Sequence, residues 1–340
     1  MGVHDDFTRR LFLKGSGAAL GAGALSMLPL QMAFAAAFPE HNIKVYVPTR
    51  AGGGADRNLR AVSTIWKNHL KTNFEPSYYP GAAGRVGYET YMGKAAADCY
   101  HLLFGNMGPE VLNWVVKPPT FPLNAYYYFA QVDADPACVF VSKKSKLKTI
   151  DDIVVEGKKR TLTVGTSRLA HPASLGALVL AQKTGAKFNL IPLSGGRNTR
   201  AGVTTGEVDF GVLPASSVIT QTSLDVVALF HDKNPLPQRM PHAVLTNEHF
   251  RLGLPPLIAG ARAFGIQQAA VDKYPDRYKV LVDTLEKTVK DPAYKAAVIK
   301  TKAPWEFSVY GNAEECKKYV AWVSDLGREY NSLLTGKKKA

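Results

Sequence analysis

The chain is poor in the features that mark most catalytic and metal-binding proteins. It has three cysteines in 340 residues and no C-x-x-C pair, so neither a disulfide scaffold nor a cysteine-rich zinc site is expected. It also lacks a G-x-x-x-x-G-K-[ST] loop, a G-x-S-x-G elbow and an H-E-x-x-H pair, which are signatures of phosphate-binding loops, serine hydrolases and zinc proteases. We therefore predict no catalytic residue, no metal site and no cofactor.

Acidic residues are scarce relative to basic ones, and the formal net charge is +14 at pH 7. The apolar share of 46% and the charged share of 21% are those of an ordinary globular protein, and the length suggests two domains or one large one. A basic excess suits nucleic acid, a membrane surface or small anions, or it is solvated surface lysine. The aromatic run at residues 126–129 is better explained as a buried segment than as a base-stacking platform, so we expect no nucleic acid partner.

Residues 1–37 read as an export signal. Arg9 and Arg10 lie in a polar start, a weakly apolar stretch rich in Ala, Gly and Leu follows, and Ala33-Phe34-Ala35 is an A-x-A cleavage site. The order of these features resembles the twin-arginine (Tat) signal of bacterial export. We expect Tat-dependent export to the periplasm, with cleavage after Ala35 or Ala37.

The rest of the chain alternates short strands with helices. Apolar alternation or short apolar runs predict strands at residues 43–47, 78–79, 101–104, 138–141, 161–164, 188–191, 208–212 and 226–230. Helical spacing predicts helices at 59–70, 86–96, 173–184, 197–205, 275–290 and 314–334. Thr149 is expected to cap a further short helix, Gly185 to end one, and residues 105–108 to form a turn. This order predicts an α/β protein with two units, each a mainly parallel sheet flanked by helices.

Four glycine-rich turns follow predicted strands, at residues 52–54, 81–87, 165–167 and 194–196. In an open α/β sheet, ligands bind at the carboxyl ends of the strands, where free N–H groups and helix dipoles favour an anion. Arginines also lie in or beside these turns, at Arg50, Arg57, Arg85, Arg168, Arg197 and Arg200. A guanidinium binds a carboxylate with two parallel N–H bonds, so we predict a composite site for an organic acid. Arg50 and Arg197 are the preferred contacts because each lies at a turn tip; surface exposure is the alternative for every arginine.

Ordered segments of this chain resemble the receptors of tripartite tricarboxylate transporters, the Bug or TctC family. The segments lie at residues 43–56, 79–87, 98–108, 192–196 and 206–209. The resemblance implies a two-lobed periplasmic-binding-protein fold with the ligand cleft between the lobes. We expect lobe one at residues 38–138 plus 260–340 and lobe two at residues 139–259. The first lobe would hold one carboxylate through backbone groups and water, and the second would set selectivity.

We expect the ligand-binding residues to lie in these loops and at the ends of the strands before them. They are Thr49, Arg50, Gly53, Ala55, Asp56, Gly84, Arg85, Asn106, Thr166, Ser167, Arg168, His171, Gly195, Arg197 and Leu213. Arg50 stands where relatives usually have proline, Arg85 where many have asparagine, and Leu213 where many have aspartate. Fewer acids and more arginines shift the expected ligand towards greater negative charge.

The sequence therefore predicts a monomeric periplasmic receptor, not an enzyme, for a di- or tricarboxylate or an aromatic carboxylate. Membrane transporter subunits would take the solute from it. Two alternatives stay open at this point. One is a Tat-exported enzyme that binds a cofactor, and the other is a sensor that presents an organic acid to a signalling partner.

Overall fold

Two β-sheets organise residues 38–336, the part of the chain that the computed structural model describes. The predicted export signal at residues 1–37 lies outside these residues. The described residues form twelve strands, in chain order β1 (Ile43–Val47), β2 (Phe74–Tyr78), β3 (His101–Asn106), β4 (Tyr126–Gln131), β5 (Asp135–Ser142), β6 (Leu162–Thr166), β7 (Phe188–Pro192), β8 (Phe210–Pro214), β9 (Leu224–Leu229), β10 (Val244–Leu245), β11 (Ile258–Gly260) and β12 (Arg262–Gln267).

Helices fill most of the connections between these strands. Within residues 38–336 they are α1 (Gly54–Leu70), α2 (Arg85–Lys94), α3 (Met107–Val116), α4 (Ile150–Lys159), α5 (Pro172–Thr184), α6 (Gly196–Thr205), α7 (Ala215–Val218), α8 (Thr246–Phe250), α9 (Gln268–Lys273), α10 (Pro275–Lys290), α11 (Pro292–Lys300), α12 (Ala313–Glu329) and α13 (Asn331–Thr335). None of the helices in this part of the chain combines the length and apolar character needed to cross a bilayer.

Each sheet contains one strand that runs against all the others. The first sheet has the order β2-β1-β3-β12-β4, and β12 is antiparallel to both of its neighbours. The second has the order β10-β9-β5-β8-β6-β7, with β5 antiparallel to β8 and β9, and β11 paired with β5. The remaining neighbours pair in parallel. The predicted pair of mainly parallel sheets is confirmed.

Several local predictions are confirmed by backbone geometry. In β1 the side chains of Ile43, Val45 and Val47 are fully buried while Lys44 is exposed, which is the alternation expected of a strand with one face in the core. Thr149 caps α4 through a reciprocal bond with Asp152. Gly185 ends α5 with a φ of +76°, a left-handed conformation that favours glycine.

The predicted turn at residues 105–108 is wrong, because helix α3 begins directly after β3 at Met107. Gly108 and Pro109 suggest a turn, but proline is tolerated in the first turn of a helix, where its missing N–H has no intrahelical acceptor. Helix α3 then buries Val111, Leu112 and Trp114. The expected helix at 314–334 is likewise two helices, α12 and α13, with Tyr330 between them.

The chain passes between the sheets twice, and the two passages lie side by side. After β4 the chain enters β5, and β11 returns along β5 with Gly260 opposite Asp135. The Val132 N–H donates to the Arg262 carbonyl at 2.9 Å. The Asn106 side chain fixes the return passage to the end of β3, since it donates to the Ala259 carbonyl at 3.0 Å and accepts from the Ala261 N–H at 2.9 Å.

The C-terminal helices return to the first sheet. Helices α10 and α11 pack on α1, and α12 packs on α3 and β4. The Trp66 indole of α1 donates to Thr284 of α10 at 2.9 Å. The three cysteines, Cys99, Cys138 and Cys316, are buried and free.

Candidate functional site

The loop after β1 is shaped by one buried carboxylate. Asp56 accepts from the Gly52 N–H at 2.8 Å, from Arg60 Nε at 2.8 Å and from the Tyr78 hydroxyl. Gly52 has a φ of +79°, a conformation that glycine adopts without a steric penalty. Both oxygens of Asp56 accept hydrogen bonds from groups of the protein itself. Asp56, which the sequence predicts to contact the ligand, therefore stabilises the loop.

The same loop presents unsatisfied polar groups. Gly53 is the N-cap of α1 without a capping side chain, and Ala55 follows in the first turn. The Thr49 Oγ1 atom is buried and has no hydrogen-bond partner among residues 38–336. Free N–H groups at a helix start and an unpaired hydroxyl are the groups that a carboxylate can satisfy.

The second turn of the first sheet does not bring Arg85 to the site. Arg85 donates to the carbonyls of Lys117 and Pro118 and pairs with Glu89 at 3.5 Å, so its guanidinium is committed to the end of α3. Gly84, before it, has a φ of +102°. A Cβ at Gly84 would lie 3.1 Å from Glu110 Oε1 and 3.3 Å from Arg168 Nη1, so this glycine makes room for those two side chains.

Two loops of the second sheet are tied to each other. The Thr166 hydroxyl lies 2.6 Å from Ser174 Oγ, and both hydroxyls donate to the Arg168 carbonyl. The Gly195 N–H donates to the Ser167 carbonyl at 3.2 Å. These bonds fix the backbone of Arg168 and join the loop after β6 to the loop after β7.

His171 ends the loop after β6 as the N-cap of α5. Its Nδ1 accepts from the Ala173 N–H at 3.1 Å, and the side chain is buried. Burial lowers the pKa of His171 to about 3, with further lowering from Arg168 and Arg262. The imidazole is therefore neutral at pH 7 and serves as a cap that a proton would break.

Arg168 reaches from the second sheet to the first. Its Nη1 donates to Glu110 Oε1 at 2.9 Å and to the Ala83 carbonyl at 2.6 Å. The Glu110 side chain is 1% exposed, and its Oε2 has no hydrogen-bond partner within residues 38–336. Burial raises the pKa of Glu110, and Arg168 opposes that rise. This ion pair is a direct side-chain link between the loop after β6 of the second sheet and helix α3 of the first.

A second buried ion cluster lies where the chain passes between the sheets. Arg262 pairs with Asp133 and lies 3.8 Å from Asp135, whose carboxylate also accepts from the Ser216 N–H at 2.9 Å and from the Ser216 hydroxyl. Burial raises the pKa of Asp135 to about 6, against the opposing effect of Arg262. The cluster joins both passages to the start of α7.

Two further arginines, Arg57 in α1 and Arg200 in α6, are half-buried. Neither forms a side-chain hydrogen bond or ion pair with any residue in the described range 38–336. Burial lowers the pKa of both, and other arginines lower it further: Arg262 acts on Arg57, and Arg57 and Arg197 act on Arg200. The carboxylates of Asp135 and Asp133 oppose the lowering of the Arg57 pKa.

The two arginines that the sequence favours as ligand contacts lie at the protein surface. Arg50 and Arg197 are exposed, and neither makes a hydrogen bond or ion pair through its side chain within residues 38–336. Leu213 is buried at the end of β8, and its Cδ2 lies 3.7 Å from where a Cβ of Gly196 would be. It gives the start of α6 an apolar support.

No protein-family model matches the chain. A curated relative, the UPF0065 protein in the TAR-I ttuE-ttuC' intergenic region of Agrobacterium vitis, is 25% identical over 195 residues, which is 56% of this chain and 56% of the relative. The match spans about half the length of that relative.

Solved structures match over nearly the whole described chain. A TctC solute-binding protein from Polaromonas has a TM-score of 0.64 at 20% identity, over 88% of this chain and 99% of that protein. An R. palustris protein solved with adipate has a TM-score of 0.75 at 17% identity, over 88% and 98% of the two chains. MatC from Rhodopseudomonas palustris, with bound malate, has a TM-score of 0.70 at 15% identity, over 87% and 100%. This chain has the fold of the TctC and Bug periplasmic binding proteins.

The two sheets flanked by helices and the match to these periplasmic binding proteins confirm the predicted fold class. The Arg168–Glu110 pair joins the loop after β6 of the second sheet to helix α3, which follows β3 of the first. Among residues 38–336 no group of three or more His, Cys, Asp or Glu side chains could hold a metal ion.

Sequence reasoning missed the acids that pair with Arg168 and Arg262. Glu110 lies in the helix that was predicted as a turn, and Asp133 and Asp135 lie between two strands where no motif marks them. A sequence signal did exist for Asp133 and Asp135, because two acids so close together in an apolar stretch predict buried charge that needs a cation.

Proposed function

We propose that this protein is a periplasmic receptor of the tripartite tricarboxylate transporter type. It binds an organic carboxylate between its lobes, catalyses no reaction, and passes the solute to membrane transporter subunits. The observation that carries the proposal is the loop after β1, where the uncapped start of α1 and the buried, unpaired Thr49 hydroxyl form a ready site for a carboxylate. Relatives of the same fold that hold adipate and malate support this ligand class.

We assign the lobes to residues 38–138 plus 260–340 and to residues 139–259. The paired passages between β4 and β5 and along β11 are then the hinge, because they are the places where the chain leaves one sheet for the other. The first lobe holds one end of the acid through the loops at Thr49 to Asp56 and at Gly84. The second lobe meets the other end through the loops at Thr166 to His171 and at Gly195.

Binding is tested on the monomer purified from the periplasm, by a thermal-shift screen of di- and tricarboxylates and aromatic carboxylates followed by calorimetry. A ligand that binds only the folded state raises the melting temperature, because at 100 times its Kd it adds about 2.7 kcal/mol to the free energy of unfolding. We expect at least one carboxylate to do so. If none does, and the purified protein carries a cofactor, a Tat-exported enzyme is the correct reading.

Closure and export have their own tests. Small-angle scattering should show a smaller radius of gyration at saturating ligand, and an identical profile would argue for a rigid cleft. Arg9→Lys with Arg10→Lys should keep the precursor in the cytoplasm, and normal periplasmic recovery of that variant would contradict the Tat assignment.

A further inference from the structure

A strongly basic segment follows strand β5 of the second sheet. Residues 143–160 form the loop after β5 and helix α4, and they contain seven lysines and arginines but only three acidic residues. Four of the lysines are exposed and have no ion-pair partner within residues 38–336, namely Lys143, Lys144, Lys146 and Lys158. This surface therefore carries positive charge that the described part of the protein does not neutralise.

The same segment borders a cavity of about 680 Å³. Its walls are the loop at residues 142–147, helix α4, and the end of α6 with the residues that lead to β8. The cations that line it come from the first two walls: Lys144, Lys146, Lys159 and Arg160. Val155 of α4 also lines the cavity and is 53% exposed. The cavity thus combines cations on two walls with an apolar side chain that water reaches.

The acids that line this cavity are already bonded within the protein. The Asp152 carboxylate accepts two backbone N–H bonds at the start of α4, at 2.8 and 2.9 Å. Glu156 and Asp209 both pair with Arg160, at 2.9 and 2.8 Å. Carboxylates with such partners are poor acceptors for the loop lysines, so an acidic partner from outside the chain can pair with these lysines.

The cavity lies at the edge of the second sheet opposite the loops of the candidate ligand site. It touches Arg160 before β6 and Asp209 before β8, whereas the loop that contains Ser167 follows the end of β6. Strands β6 and β8 are parallel, and the five residues of β6 span about 15 Å. An occupant of the cavity and a ligand at the loops after β6 and β7 therefore bind at different ends of the sheet.

We propose that this cavity docks an acidic segment of a second protein, in which carboxylates flank an apolar side chain. The carboxylates pair with Lys144 and Lys146, and the apolar side chain covers Val155. A flat bilayer surface can contact exposed lysines, but it neither fills a concave cavity nor covers an apolar side chain that lines one. This inference goes beyond the receptor function proposed above and does not depend on it.

The test uses a fluorescein-labelled peptide of repeated Glu-Leu-Glu units, titrated against the periplasmic protein by fluorescence anisotropy at low ionic strength. A second peptide with serine in place of leucine keeps the charge and removes the apolar group. We expect the leucine peptide to bind at least about 3-fold more tightly, because it covers apolar surface that the serine peptide does not. Binding of both peptides should weaken as salt is added.

Variants locate the binding surface. Lys144→Gln with Lys146→Gln should weaken the binding of both peptides by about 3- to 20-fold. Val155→Ser should weaken the leucine peptide alone, by about 3- to 5-fold. The matched control, Lys67→Gln with Lys300→Gln, removes two exposed lysines from α1 and α11 and should leave both affinities within about 2-fold. Melting temperatures check that each variant folds.

The outcomes separate this surface from general charge and from lipid. Absence of peptide binding, equal losses in the cavity and control variants, or a preference for leucine that survives Val155→Ser would each overturn the docking site. Sedimentation with phosphatidylglycerol vesicles that requires Lys144 and Lys146, without a preference for the leucine peptide, would assign the surface to a membrane instead. None of these results bears on the carboxylate screen, because the cavity and the ligand loops lie at opposite edges of the sheet.

Discussion

The substitution Arg168→Met leaves the Glu110 carboxyl buried without its cation. Removing one partner of a buried ion pair costs about 3–5 kcal/mol of stability. Arg168 is 15% exposed and Glu110 is 1% exposed, so the partial access of water to the arginine places the expectation near the lower end, at about 3 kcal/mol. The hydrogen bond from Arg168 to the Ala83 carbonyl is lost as well.

A double-mutant cycle with Glu110→Gln separates the pair from the rest. Glutamine keeps the shape and an acceptor, so we expect a cost of about 1–2 kcal/mol for that change alone. The double variant should be less destabilised than the sum of the two by about 2 kcal/mol, since a neutral residue 110 no longer needs the cation. The matched control is the pair Arg160–Asp209, with side chains 49% and 21% exposed, where Arg160→Met and Asp209→Asn should couple by less than about 1 kcal/mol.

Denaturant unfolding with full baselines measures the unmodified protein and the three variants of each cycle, with m-values checked for constancy. Additivity within about 0.5 kcal/mol at Arg168 and Glu110 would refute the claim that these two side chains are energetically coupled across the loops of the two sheets. A pH series adds a second readout. Burial already raises the pKa of Glu110, and loss of Arg168 raises it further. The folded variant then takes up a proton more readily than the unfolded chain, so its deficit should shrink as the pH falls below 7.

The remaining predictions use single sites. The pKa of His171 is lowered from 6.5 to about 3 in the folded protein, so stability that is present above pH 6.5 should be lost as the pH falls towards 3. His171→Asn keeps a capping acceptor, and its melting temperature should therefore change less steeply with pH. Parallel pH dependences of the two melting temperatures would contradict this. Gly84→Ala should destabilise the protein by about 1–2 kcal/mol through its φ of +102°, and by more because the new Cβ would contact Glu110 and Arg168. Gly185→Ala, with a φ of +76° and open space around it, should show the backbone strain alone. Equal unfolding midpoints of the two variants would count against the side-chain contact at Gly84. Cys99, Cys138 and Cys316 are buried and burial raises the pKa of each thiol, so a thiol reagent should label all three in denaturant and none within minutes in the native protein.

Much of the fold could be predicted because local patterns and long-range packing agree there. The alternation in β1, the cap at Thr149 and the glycine at 185 each report a single local requirement, and the structure meets all three. Helix α3 could not be predicted in this way. Its first turn contains glycine and proline, and only packing of Trp114 and its neighbours in the core stabilises the helical form.

The site was predictable as a set of loops but not as a set of contacts. The turns after β1 and β6 follow from glycine placement. Which arginine stays free depends on acids far along the chain: Arg168 and Glu110 are 58 residues apart, and Arg262 and Asp133 are 129 apart. Periodicity tells which face of an element is buried, but it carries no information about such pairs.

The central position of β12 in the first sheet has a consequence for the order of folding. β12 lies between β3 and β4, with Phe264 opposite both Phe104 and Ala130. During synthesis, the edges of β3 and β4 that face β12 therefore remain unpaired until the last third of the chain has been made. Strands β5 to β10, by contrast, come from one continuous stretch and can assemble as soon as they are made. Because contacts between distant segments form late, pulse-labelled hydrogen exchange should find β6 and β8 protected before β3. The first sheet, although it contains the earlier strands β1 to β4, would then be the last to form, and its last strand would be the one that follows the second sheet along the chain.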